Sequence, residues 1–107
     1  MSDLTLQPNP TLHDLQAYVK AMLKERGFNE ESIPQRFMLL LEECGEFARA
    51  SRKHVGIKFA DDTSRAQANE EAADVFIILL GLCNMLNIDL EQAFRDKEAK
   101  NQHRTWK

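Results

Sequence analysis

An all-α protein is what this sequence predicts, and three observations carry that reading. Apolar residues recur every three or four positions along most of the chain, and the periodic stretches open on helix-capping patterns. No stretch alternates apolar and polar residues between hairpin turns, as strands would. With 107 residues, 43% hydrophobic and 29% charged, the chain fits one domain over residues 11–107 after a short arm. That is near the small end of what folds unaided, so a partner chain would enlarge its core.

Residues 1–10 carry Pro8 and Pro10 and no sustained period, which predicts an irregular arm. Thr11 and Asp14 form a capping box, and Leu12, Leu15, Val19, Met22 and Leu23 give an amphipathic helix to about Arg26, closed by Gly27. Ser32 and Gln35 cap a second helix running to about His54, with Pro34 tolerated in its first turn. Between Val55 and Thr63 the period is lost, which predicts a loop. Ser64 with Gln67 is the next capping signal, and a third helix continues to Leu86. From Val75 onward its apolar residues surround the whole circumference, which predicts burial on every side. One domain of this length cannot cover such a helix, so it is expected at the centre of a homo-oligomeric bundle. Asp89 and Gln92 start a fourth helix, with a charged end from Lys97 to Lys107.

The net charge of −3 excludes a broad basic face for a nucleic acid polymer. Cys44 and Cys83 each sit in apolar sequence without CxxC spacing, which predicts buried reduced thiols and a cytoplasmic location. No apolar run reaches the length of a membrane span, and residues 1–10 lack the basic and apolar regions of a signal peptide.

The chemistry concentrates in Glu42, Glu43 and Glu46 on the second helix and Glu71 and Asp74 on the third. Glu43 and Glu46 stand ~60° apart around their helix, as do Glu71 and Asp74 around theirs, and Glu42 lies ~40° from Glu46. Phe37, Leu40, Leu41, Cys44, Phe47 and Ala48 are the expected core stripe beside them. An EExxE on its own is ordinarily a solvated face. Joined to ExxD on an apolar helix it is not, because like charges in a packed bundle repel unless neutralised. If the two helices pack antiparallel, Glu43, Glu46, Glu71 and Asp74 converge on an all-oxygen pocket suited to Mg²⁺ or Mn²⁺. A di-iron bundle would need Glu-x-x-His, which is absent. Lys97, Asn101 and Arg104 share a face at the other end, where they complement the helix dipole or hold a polyphosphate. Arg49, Lys53 and Lys58 flank the loop and are either solvated charge or phosphate contacts, and Trp106 either stacks on a base or docks the tail.

The runs LLLEECGEFARA (39–50), EEAADVFIILLGL (70–82), IDLEQAF (88–94) and KEAKNQHR (97–104) resemble the MazG-like family of all-α nucleoside triphosphate pyrophosphohydrolases. The likeness covers about residues 11–106. It implies a four-helix protomer in a dimer or tetramer, and hydrolysis of an NTP or dNTP between its α and β phosphates. By motif position it makes Glu43, Glu46, Glu71 and Asp74 the Mg²⁺ ligands and leaves Glu42 as a general base or an outer-shell group. Lys97, Asn101 and Arg104 then stand near the phosphates or ribose. Relatives acting on dUTP, dCTP or phosphoribosyl-ATP are the alternative enzymes, with base preference set around Gln16, Phe28 and Phe37. A non-catalytic helical oligomerisation or metal-binding module is the alternative outside enzymes.

Overall fold

The computed structural model describes residues 4–28, 30–52, 54–55, 58–59 and 61–104, with the backbone alone at 54, 55 and 58. Four helices carry the fold: α1 (Leu12–Glu25), α2 (Ile33–Ser51), α3 (Asp62–Met85) and α4 (Leu90–Gln102). Two of the expected capping boxes form in full, Thr11 with Asp14 and Ser32 with Gln35, and Asp89 caps α4 by accepting from the Gln92 amide. The helices α1 and α3 both end in Schellman turns. Gly27 (φ 77°) and Asn87 (φ 56°) take the left-handed position, while Phe28 and Ile88 bond back to Leu23 and Cys83.

Two local expectations change. The segment between α2 and α3 is not a bare loop, because β1 (His54–Val55) and β2 (Lys58–Phe59) pair antiparallel, His54 opposite Phe59. Two residues per strand leave too little alternation to read from sequence. Helix α3 also starts earlier than Ser64: the Asp61 carboxylate accepts from the Ser64 amide at 2.7 Å and is the N-cap, which leaves Ser64 buried in the first turn.

The core lies where α1 crosses α3, with Val19, Met22 and Leu80 buried and Leu12, Leu15, Tyr18, Leu23, Ile77 and Leu90 against them. Helix α4 leaves α3 at 97° and packs on α1. Gln16 ties that corner: its Nε2 donates to Ile88 O (2.5 Å), its Oε1 accepts from Leu90 N (3.0 Å), and its own carbonyl accepts from Asn84 Nδ2 (3.0 Å). Gln16 therefore serves the fold, with both ends of its side-chain amide engaged at this corner.

The longest contact is between α2 and α3, and it is antiparallel. Arg36 faces Gly81, Glu43 faces Asp74, and Ala50 faces Gln67 across one cleft, so each turn forward on α2 meets a turn backward on α3. The outer side of this pair is bare. Phe37, Met38, Leu41 and Phe47 are 38–69% exposed, and Phe76, Leu79 and Met85 on α3 are each more than a third exposed. The expected core stripe on α2 is therefore not covered within one chain, with Cys44 and Ala48 exposed and Leu40 alone partly buried. Cys44 departs from the buried thiol expected, whereas Cys83 is buried. Likewise α3 buries Ile78 and Leu80 to Cys83 but not its whole circumference, since Phe76 and Leu79 stay more than a third exposed. Among the described residues no single helix is long and apolar enough to cross a membrane.

Candidate metal and nucleotide site

Antiparallel α2 and α3 bring Glu43, Glu71 and Asp74 together. One carboxylate oxygen from each lies within 4.8 Å of the other two; Glu43 and Glu71 are partly buried and Asp74 is exposed. The cost of this proximity falls on Glu43. Burial first, then a hydrogen bond with Glu71, then the charges of Asp74, Glu71 and Glu46 raise its pKa above the ordinary carboxylate range. A cation held among the three carboxylates would offset that cost. The donor set fits Mg²⁺ or Mn²⁺: it is all oxygen, and ligands around one Mg²⁺ stand about 3–4 Å apart, a small contraction from the spacing here.

Glu46 sits one step further along the same groove. It accepts a hydrogen bond from Arg49 Nη2, a contact that raises the Arg49 pKa, and it stands outside the three-carboxylate cluster. With Arg49, Ala50, Arg52, Gln67, Glu70 and Glu71 it lines a cleft of about 430 Å³ that adjoins the cluster. Arg52, the C-cap of α2, is a cleft residue the sequence reading missed. Its signal was there, three residues beyond Arg49 and so on the same face.

Glu42 is exposed on α2 and outside the cluster. Lys97 is exposed on α4, Arg104 lies past its last residue, and Asn101 Oδ1 is buried with no hydrogen-bond partner. None of these three lines the carboxylate cleft of the same chain. Lys53 and Trp106 lie outside the described residues, as does the Lys58 side chain.

A model of the MazG nucleotide pyrophosphohydrolase domain matches residues 31–107, which contain every carboxylate of the site. The chain belongs to that family. Among curated proteins, dCTP pyrophosphatase 1 of Mus musculus is 31% identical over 102 residues, covering 91% of this chain and 60% of its own length. The Rattus norvegicus protein of the same name is 30% identical over 105 residues, with 94% and 62% covered. The dATP/dGTP diphosphohydrolase of Cyanophage S-2L is 32% identical over 97 residues, covering 90% of this chain and 78% of that protein. This MazG-family chain thus spans about six-tenths of the length of the mammalian relatives. Their names differ in the base, so membership alone does not give this chain's substrate.

Proposed function

We propose that this chain is a Mg²⁺-dependent nucleoside triphosphate pyrophosphohydrolase, cleaving an NTP or dNTP between the α and β phosphates to a monophosphate and pyrophosphate. Clearing surplus or non-standard nucleotides from the cytoplasmic pool is the role that fits. The observation that carries this reading is the convergence of Glu43, Glu71 and Asp74 beside a cleft holding Arg49 and Arg52.

In this reading Glu43, Glu71 and Asp74 would hold the ion, with Glu46 as a further carboxylate ligand beside them. An ion held there would supply positive charge to offset the phosphate oxygens and the charge that grows on them during displacement. Arg49 and Arg52 supply donors for the remaining phosphate oxygens. Water attacks the α phosphorus in line, the bridging bond to the β phosphate breaks, and the proton passes to Glu42, the exposed carboxylate next in sequence to the cluster.

Assembly belongs to the same reading. The protomer has a radius of gyration of 16.4 Å, where ~13 Å suits a compact chain of this length. It exposes 8370 Å², where a 12.3 kDa monomer exposes ~6,100 Å². The surplus and the bare aromatic face of α2 and α3 suit a homodimer or homotetramer. Lys97, Asn101 and Arg104, remote from their own chain's cleft, would then meet substrate across that interface.

Incubating the protein with a panel of NTPs and dNTPs plus Mg²⁺, and measuring pyrophosphate, tests the proposal. Release that stops on chelation of the metal is expected. A helical, assembled protein that turns over no nucleotide would leave a structural or metal-binding module instead.

A further inference from the structure

Two helical turns from the carboxylates, about 10.5 Å along the same α2–α3 groove, lies a second, smaller pocket. It encloses about 220 Å³ between Lys20, Leu23, Arg36, Gly81, Asn84 and Met85. Its odd member is Arg36. The residue is 4% exposed, yet no carboxylate faces it among the described residues. One terminal nitrogen donates to the Phe28 carbonyl, and Nε has no hydrogen-bond partner. The other terminal nitrogen borders the space that a Cβ on Gly81 would enter, 3.8 Å from it. A buried guanidinium left with unused donors is costly unless something else accepts from it.

The other polar groups define that acceptor. Lys20 adds an ammonium, which only donates. Asn84 is oriented by its bond to the Gln16 carbonyl: a carbonyl only accepts, so Nδ2 must face it and Oδ1 is left to accept. The pocket therefore offers donors beside one acceptor, between the apolar walls of Leu23, Gly81 and Met85. The complement is a flat group carrying C=O next to N–H.

We propose that this pocket receives the base of the nucleotide and selects its lactam edge, with Arg36 as the specificity-determining residue. The inference rests on the pyrophosphohydrolase reading, since the distance to the carboxylates is that from the α phosphate across the sugar to a base edge. Guanine, hypoxanthine, uracil and thymine present the lactam edge. Adenine and cytosine present an amino group beside an unprotonated ring nitrogen, which sets N–H against Arg36 and a lone pair against Asn84 Oδ1. Gly81 keeps the slot open, because a Cβ there meets Leu23 Cδ1 at 3.0 Å.

The test is kcat/KM, with Mg²⁺, for dGTP, dITP, dUTP, dATP and dCTP on the wild type and on Arg36→Met, Lys20→Gln and Gly81→Ala. The wild type is expected to favour the lactam bases by about ten- to a hundredfold, the range for one good bidentate base contact. Arg36→Met should shrink that ratio toward one, mainly through a higher KM for dGTP, dITP and dUTP. Lys20→Gln, at an exposed residue the fold does not need, should shrink it in the same direction. Gly81→Ala should raise KM for the purines more than for dUTP. A wild type that prefers dATP or dCTP overturns the inference while leaving the pyrophosphohydrolase reading intact. So does an equal loss for all five nucleotides in Arg36→Met and Lys20→Gln, the signature of a phosphate contact. No turnover of any nucleotide by the wild type removes both.

Discussion

Glu43→Gln tests the metal site without any nucleotide. Glu43 stands within 4.8 Å of Glu71 and of Asp74. Two unit charges at that separation repel by ~0.9 kcal/mol in a water-like medium and by ~3.5 kcal/mol at an effective dielectric of 20. Asp74 is exposed and Glu43 only partly buried, which keeps each pair toward the lower figure. Gln is nearly isosteric and can still donate to Glu71. The variant should therefore be more stable than the wild type by about 1–2 kcal/mol in EDTA, or about 5–10 °C in Tm for a domain of this size.

Magnesium should reverse that order. At a hundred times its Kd, an ion bound only by the native state adds ~2.7 kcal/mol. The wild type gains that, and the variant, short of one ligand charge, gains little. The assay is a pair of thermal melts with and without Mg²⁺, at fixed protein concentration because assembly would make Tm concentration-dependent. A variant that melts below the wild type in EDTA, or equal Mg²⁺ shifts for both proteins, would refute a site built from mutually repelling ligands.

Three other outcomes are expected. The raised Glu43 pKa costs the metal-free protein stability as pH rises from the ordinary carboxylate pKa through the folded one; the wild type should thus gain on Glu43→Gln as pH falls from about 7 to 4. Melts of both proteins in EDTA across that range check it, and a constant difference would contradict it. Leu41→Glu, at a residue 69% exposed on the bare face, should turn an oligomer into a 12.3 kDa monomer by light scattering; a wild type already monomeric would refute the assembly. Gln16→Leu strands Ile88 O and Leu90 N at a part-buried corner and should cost about 1–3 kcal/mol in urea unfolding. A loss below half of that would mean water replaces both bonds.

The sequence was most informative where local chemistry decides structure. Thr11, Ser32 and Asp89 each announce a helix start through their own side chains, and the structure uses all three. Ser64 misled for the same kind of reason, since Asp61 three residues earlier offers a carboxylate where Ser64 offers a hydroxyl, and the stronger acceptor caps α3. The pairing of Glu43 with Glu71 and Asp74 was legible because helical spacing puts the carboxylates of each helix on one side of it, facing the other helix. Glu46 was not resolved, because its bond to Arg49 depends on rotamers rather than on periodicity. Burial of the apolar stripe on α2 was misread in a single chain, because hydrophobicity says that a face is covered without saying by what.

Arg36 shows how the remaining part was legible in principle. Arg36, Leu40 and Glu43 follow at four and three residues, so a cation lies on the same face as a carboxylate of the cluster, two turns away. Nothing in α2 alone tells whether that face continues into solvent or into a pocket. The antiparallel register decides, because it sets the glycine of α3, Gly81, opposite Arg36 and opens space there. The same register sets Asp74 opposite Glu43. A single alignment of two helices thus fixes both ends of the groove, one end bearing acids and the other donors. In the pyrophosphohydrolase reading, a nucleotide bound by its phosphates at the first end has its base held at the second, and shifting the register by one residue would separate both pairs together.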